Sequence, residues 1–134
     1  DEYFPITKKD PESYNYFMNF HLFNHIDIPK ENINIPNGEI DRSQALIFVY
    51  NIKKDASYGG IDIQILGIGR TGHIGFNEPP SPIKCITRLV YLHRLTRNDA
   101  ANNFGGYDKV PKCAISMGID TIKKAKKILI MAWG

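Results

Sequence analysis

The sequence predicts an α/β fold: a largely parallel sheet with helices on both faces, in three layers. Two observations carry this. Stretches of strand and helix character alternate along the chain, and the strand stretches lack the period-two pattern of a half-solvated sheet. A third observation locates the site. The apolar run Ile61-Asp-Ile-Gln-Ile-Leu66 breaks into the glycine-rich stretch Ile65-Leu-Gly-Ile-Gly-Arg-Thr-Gly-His-Ile-Gly-Phe-Asn-Glu-Pro79. Open α/β sheets place ligand sites in such loops, at the carboxyl ends of strands.

The elements follow in order. Residues 1–9 read as an extended entry. Asp10-Pro11-Glu12 reads as a helix start, with Asp10 as cap and Pro11 at the first helical position. Tyr14, Phe17, Met18, His21, Leu22 and His25 recur at three- and four-residue steps, so the helix is expected to run to about His25. His21 and His25 are four apart, but no third ligand accompanies them, and they are read as helix-surface histidines. Pro29, Pro36 and Asn37-Gly38 break residues 26–38 into a connection. A second helix is expected from about Ile40 to Ala56, ended by Tyr58-Gly59-Gly60, and the strand Ile61–Leu66 follows.

Beyond the glycine loop, Pro79, Pro80 and Pro82 forbid regular structure. Ile86–Leu92 is β-branched and aromatic, and reads as a strand. Thr96 is the expected cap of a short helix closed by Phe104-Gly105-Gly106. Lys112–Met117 is read as a strand, Asp120–Lys127 as a helix and Ile128–Trp133 as the last strand.

Composition narrows the functions. A length of 134 residues bounds the chain to one domain or part of one, and residues 1–134 are read as a single domain truncated at both ends. The formal net charge of +3 is mild. Lys123, Lys124, Lys126 and Lys127 are spaced as a solvated helix face, so no nucleic-acid partner is expected. No apolar run approaches the roughly 20 residues that span a bilayer, and no leader is visible, so no membrane partner and a cytoplasmic location are expected. Cys85 and Cys113 lack CxxC spacing and read as buried, reduced thiols; no metal site is expected.

The chemistry of the loop centres on His73 and Glu78. Imidazole changes charge near neutral pH, and a nearby carboxylate can fix its tautomer and raise its basicity. The other reading is a loop histidine beside a solvated glutamate. Gly67, Gly69 and Gly72 complete a G-x-G-x-x-G pattern, but Asn77-Glu78-Pro79-Pro80 interrupts the helix that a dinucleotide site requires. Backbone N–H groups of this loop can still wrap an anionic or polyhydroxylated ligand.

Leu66–Pro79 resembles the signature loop of the glucosamine-6-phosphate deaminases, L-G-[IV]-G-x-D-G-H-I-A-F-N-E-P. Three further stretches resemble that family in order and spacing: Asp1-Glu2-Tyr3 with Asp10-Pro-Glu-Ser-Tyr14, Asp27-Ile-Pro-Lys-Glu-Asn-Ile-Asn34 with Asn37-Gly38, and Val110-Pro followed by Ala114-Ile-Ser-Met-Gly118. The resemblance implies a Rossmann-like sugar-phosphate isomerase/deaminase fold. It implies conversion of glucosamine 6-phosphate and water to fructose 6-phosphate and ammonia, with no cofactor and a homo-oligomeric full-length protein. His73 would open the sugar ring, Glu78 would orient His73, and Asp1 would carry a proton from C2 to C1. Gly69, Thr71, Gly72 and Arg97 would contact substrate, and Arg88 matches an arginine of the allosteric site in regulated members.

The chain departs from the family pattern at two places inside it. Thr71 stands where the family has an aspartate, so His73 is expected to lose a partner. Asn102-Asn103 stands near the family's phosphate-gripping arginine, with Arg97 as a substitute; an amide does not replace a bidentate guanidinium. The other open reading is a sugar-phosphate binding domain, non-catalytic or of altered specificity.

Overall fold

The computed structural model describes residues 1–41 and 59–132. The helix expected from Ile40 to Ala56 falls almost wholly outside them, as does the end of the last strand at Trp133.

The chain enters through β1 (Glu2–Phe4), whose side chains alternate between the two faces of a sheet. Helix α1 (Tyr14–His21) follows. Its start differs from the expectation. Ser13, not Asp10, is the N-cap, and its Oγ accepts the Tyr16 N–H at 3.2 Å. The Glu2 carboxylate accepts the N–H groups of Tyr14 and Asn15 and the Ser13 hydroxyl, each at 2.9 Å. A carboxylate at a helix N-terminus satisfies amides that have no partner within the helix. Asp10 instead closes a turn, accepting the Glu12 N–H. The helix ends at His21 because Leu22 leaves helical geometry (φ −133°), and a 3₁₀ turn carries the chain through Phe23–His25.

Among the described residues, the later strands and α-helices are β2 (Ile63–Gly67), β3 (Arg88–Tyr91), α2 (Arg94–Ala100), β4 (Cys113–Ser116), α3 (Ile119–Lys123) and β5 (Lys127–Met131). Each lies within one to four residues of its expected limits. The α2 N-cap is His93, whose Nδ1 accepts the Leu95 N–H, and Thr96 sits inside the helix.

The described strands form two sheets. β2 and β5 pair in parallel, with Ile65 opposite Leu129. β4 lies between β1 and β3, antiparallel to both, with Ile115 opposite Glu2 and Leu89. Parallel pairing was expected to dominate, and among the described residues it is confined to β2–β5. The missing alternation in β4 has a different cause. Its central position buries Ala114, Ile115 and Ser116 on both faces, each at 0% exposure. Phe4 packs on Ile115 on one side, with Leu89 and Cys113 beside them. Phe76 and Leu92 pack on Ala114 on the other.

An aromatic cluster ties β1 and α1 to the glycine loop. The Tyr3 ring lies 5.8 Å from Tyr14 and 5.1 Å from both Phe76 and Phe104. Burial pushes the Tyr3 and Tyr14 phenols up, so both are neutral near pH 7. Cys85 and Cys113 are half-buried and form no disulfide. The four lysines are exposed, but they do not form the expected helix face: the helix ends at Lys123 and Lys127 begins β5, while Lys124 pairs with Asp120 and Lys126 with Asp62, both at 2.7 Å. No described helix is long and apolar enough to cross a membrane. Among the described residues no cluster of His, Cys, Asp and Glu could hold a metal ion.

Candidate active site

β2 delivers the chain to the loop, and two tight turns fold it. Gly72 N–H donates to the Gly69 carbonyl at 2.8 Å, and Gly69 N–H to the His73 carbonyl at 3.0 Å. Gly72 has φ +82°, a region costly for other residues. A bridge between Ile74 and Asn77 then reverses the chain. The turns lay the His73 ring on the Gly69 backbone, so a Cβ on Gly69 would fall 2.0 Å from the imidazole.

Asn77, 3% exposed, fastens this loop to β4 and to the segment after it. Its Nδ2 donates to the carbonyls of Ile74 (2.9 Å) and Met117 (2.7 Å), and its Oδ1 accepts from Arg88 Nη1 at 2.7 Å. The Phe76 N–H donates to the buried Ser116 hydroxyl at 3.0 Å.

His73 and Glu78 come together, as the spacing allowed. Nδ1 of His73 lies 3.4 Å from Glu78 Oε1, and both side chains are largely withdrawn from solvent. Two threonine hydroxyls complete the group. Thr71 Oγ1 lies 2.8 Å from His73 Nδ1 and 2.6 Å from Glu78 Oε2. Thr96 Oγ1 donates to Glu78 Oε1. The expected loss of a partner at position 71 is therefore not what the structure shows, because the threonine hydroxyl contacts both members of the pair. Burial pushes the Glu78 carboxyl up. The hydroxyls of Thr71 and Thr96, with His73 and His93, outweigh it and hold the group below the ordinary range.

Asp1 meets the same loop from another side. Its Oδ1 accepts the Met117 N–H at 2.7 Å, just past the end of β4. Its Oδ2 lies beside Gly75, which has φ +59°. Asp1, Tyr14, Gly67, Gly75 and Met117 border a cavity of about 300 Å³ at the end of β2. His73 is not in its lining. Glu78, Ser81 and Arg88 border a second cavity, of about 280 Å³.

The two arginines singled out in the sequence are engaged by the protein. Arg97 Nη2 donates to the carbonyls of Tyr107 (3.0 Å) and Val110 (3.1 Å), and its guanidinium lies 4.2 Å from the Tyr107 ring centre. Arg88 donates to Asn77, Cys85 and Ser81. Sequence reasoning missed Thr96 and Ser116 as parts of the site. Thr96 had a signal, a hydroxyl residue near a helix start, but that signal reads equally as a cap.

No protein-family model matches the chain. A solved structure described as a monomeric glucosamine-6-phosphate deaminase, a missing link of the NagB superfamily, superposes with a TM-score of 0.87 at 44% identity, over 96% of this chain and 53% of that one. The fold is thus the Rossmann-like α/β class of that superfamily. The glucosamine-6-phosphate deaminase of Clostridium botulinum (strain Langeland) is 47% identical over all 134 residues, and that of Geobacillus sp. (strain WCH70) 48%. Along its whole length the chain is similar to glucosamine-6-phosphate deaminases. It spans about half the length of these relatives, 54% and 53% respectively.

Proposed function

We propose that the protein carrying these residues converts glucosamine 6-phosphate and water to fructose 6-phosphate and ammonia, as one deaminase domain to which residues 1–134 contribute. One observation supports this above the others: an imidazole and an ionised carboxylate are joined through a hydroxyl on the loop that also seats Asp1. His73 shuttles the proton between the C1 hydroxyl and the ring oxygen, and so opens the pyranose. The Asp1 carboxylate takes the C2 proton of the open chain, giving an enolamine once the C1 oxygen is protonated. Returning the proton to C1 leaves an imine at C2. Water adds there and ammonia leaves, so the atoms balance without an oxidant or reductant. Glu78 keeps His73 oriented. Gly69 and Gly72 let the loop backbone approach the sugar, and Thr71 stands beside the reacting imidazole.

We place this activity in amino-sugar catabolism downstream of N-acetylglucosamine, in the cytoplasm. We expect the assembled protein to be a homo-oligomer, although the structural relative is described as monomeric; sedimentation velocity of the intact protein separates the two.

A coupled assay for ammonia and fructose 6-phosphate on the intact protein tests the reading. Folded protein without either product would refute it. His73→Gln is expected to abolish turnover of the cyclic substrate. One observation favours the second reading, a sugar-phosphate binding domain: Arg97 is engaged by backbone carbonyls. Calorimetric binding of the sugar phosphate without product would establish that reading instead.

A further inference from the structure

We propose that Thr71 is a positioning residue whose hydroxyl passes a hydrogen bond one way, from His73 Nδ1–H to Glu78, and so fixes His73 in the tautomer that leaves Nε2 bare. The argument is a count of protons. An ionised carboxylate only accepts, and a hydroxyl has a single proton to donate. Glu78 Oε2 lies 2.6 Å from Thr71 Oγ1, so that proton points at the carboxylate. The other Glu78 oxygen is taken by the Thr96 hydroxyl. Thr71 Oγ1 then has only lone pairs to turn toward His73 Nδ1, 2.8 Å away, so the ring nitrogen must carry the hydrogen. The direct His73–Glu78 approach, at 3.4 Å, is longer than either leg of the relay.

The consequence for chemistry is specific. The nitrogen left as acceptor is Nε2, the one available to take a proton from a sugar hydroxyl. An aspartate at position 71 would act on His73 through its charge. A threonine orders the proton while remaining neutral. The catalytic meaning of this assignment rests on the deaminase reading, whereas the hydrogen-bond assignment does not.

The test is ¹⁵N NMR of histidine-labelled intact protein at about pH 8, above the ordinary imidazole range. The His73 signal is identified by its loss in His73→Gln. The expected result is a protonated Nδ1 and an unprotonated Nε2 in the wild type and in Thr71→Ser. In Thr71→Val a mixture weighted toward Nε2–H is expected. A wild-type His73 protonated on Nε2 would overturn the proposal. So would a folded Thr71→Val protein that keeps pure Nδ1–H, since Glu78 alone would then hold the ring. Because the spectrum is taken without substrate, a failed deaminase assay and a failed tautomer assignment are distinct results.

Discussion

A Cβ on Gly75 would sit 2.4 Å from Oδ2 of Asp1 and 3.2 Å from the Ser116 hydroxyl. Gly75 also has φ +59°, where a side chain costs roughly 1–2 kcal/mol. Gly75→Ala is therefore expected to lower stability by about that amount and to push the Asp1 carboxylate out of place. The measurement is a denaturant midpoint beside kcat on the intact protein; with Asp1 acting as the base of the proposed reaction, kcat is expected to fall on the order of 100-fold.

Glu78 gives a pH signature. Its carboxyl is held below the ordinary value near 4.5 in the folded protein. The ionised form is thus favoured by folding, and the stability it contributes is present above the ordinary value and lost as pH falls through the folded one. The difference in unfolding free energy between wild type and Glu78→Gln is expected to narrow on acidification from about pH 6 to pH 3. A difference that widens in this window would contradict the sign.

Asn77 is expected to be expensive to remove. Its truncation leaves the Met117 carbonyl and the Arg88 guanidinium each short of a partner in a largely buried setting. Unpaired buried groups cost roughly 1–3 kcal/mol each, so Asn77→Ala is expected to lose about 2–4 kcal/mol. Thermal unfolding provides the check, as a drop in Tm with the same cooperativity.

Arg97 separates a structural role from a substrate contact. Its guanidinium holds the carbonyls of Tyr107 and Val110, a geometry that lysine cannot reproduce with a single ammonium. Arg97→Lys is expected to lower stability by about 1–2 kcal/mol, while KM for the sugar phosphate stays within about twofold. A large rise in KM at unchanged stability would make Arg97 a phosphate ligand instead.

Much of the site was legible in the linear sequence because the loop is local. His73, Asn77 and Glu78 lie within six residues, and glycines at positions 69, 72 and 75 announce the bends that bring them together. The elements around the loop were legible for the same reason, since proline, glycine and apolar spacing act over a few residues. The start of α1 was misread because its cap is shared with Glu2, which arrives from β1 across the fold. Sheet direction was legible for β2–β5 but not around β4, because burial on both faces looks the same in sequence whether it comes from parallel pairing or from a central antiparallel position.

The sequence by itself determined the α/β class, the glycine loop and the histidine–glutamate pair. Only the tertiary structure decided how that pair is supported. Thr96 comes from a helix, and Asp1 and Ser116 from opposite ends of the chain; no spacing rule connects any of them to Glu78 or Gly75. Thr71 is the clearest case. As a residue type it reads as the loss of a charge. In the folded loop its hydroxyl lies within 2.8 Å of the imidazole and 2.6 Å of the carboxylate, because hydrogen bonding depends on where an oxygen is placed and not on its formal charge.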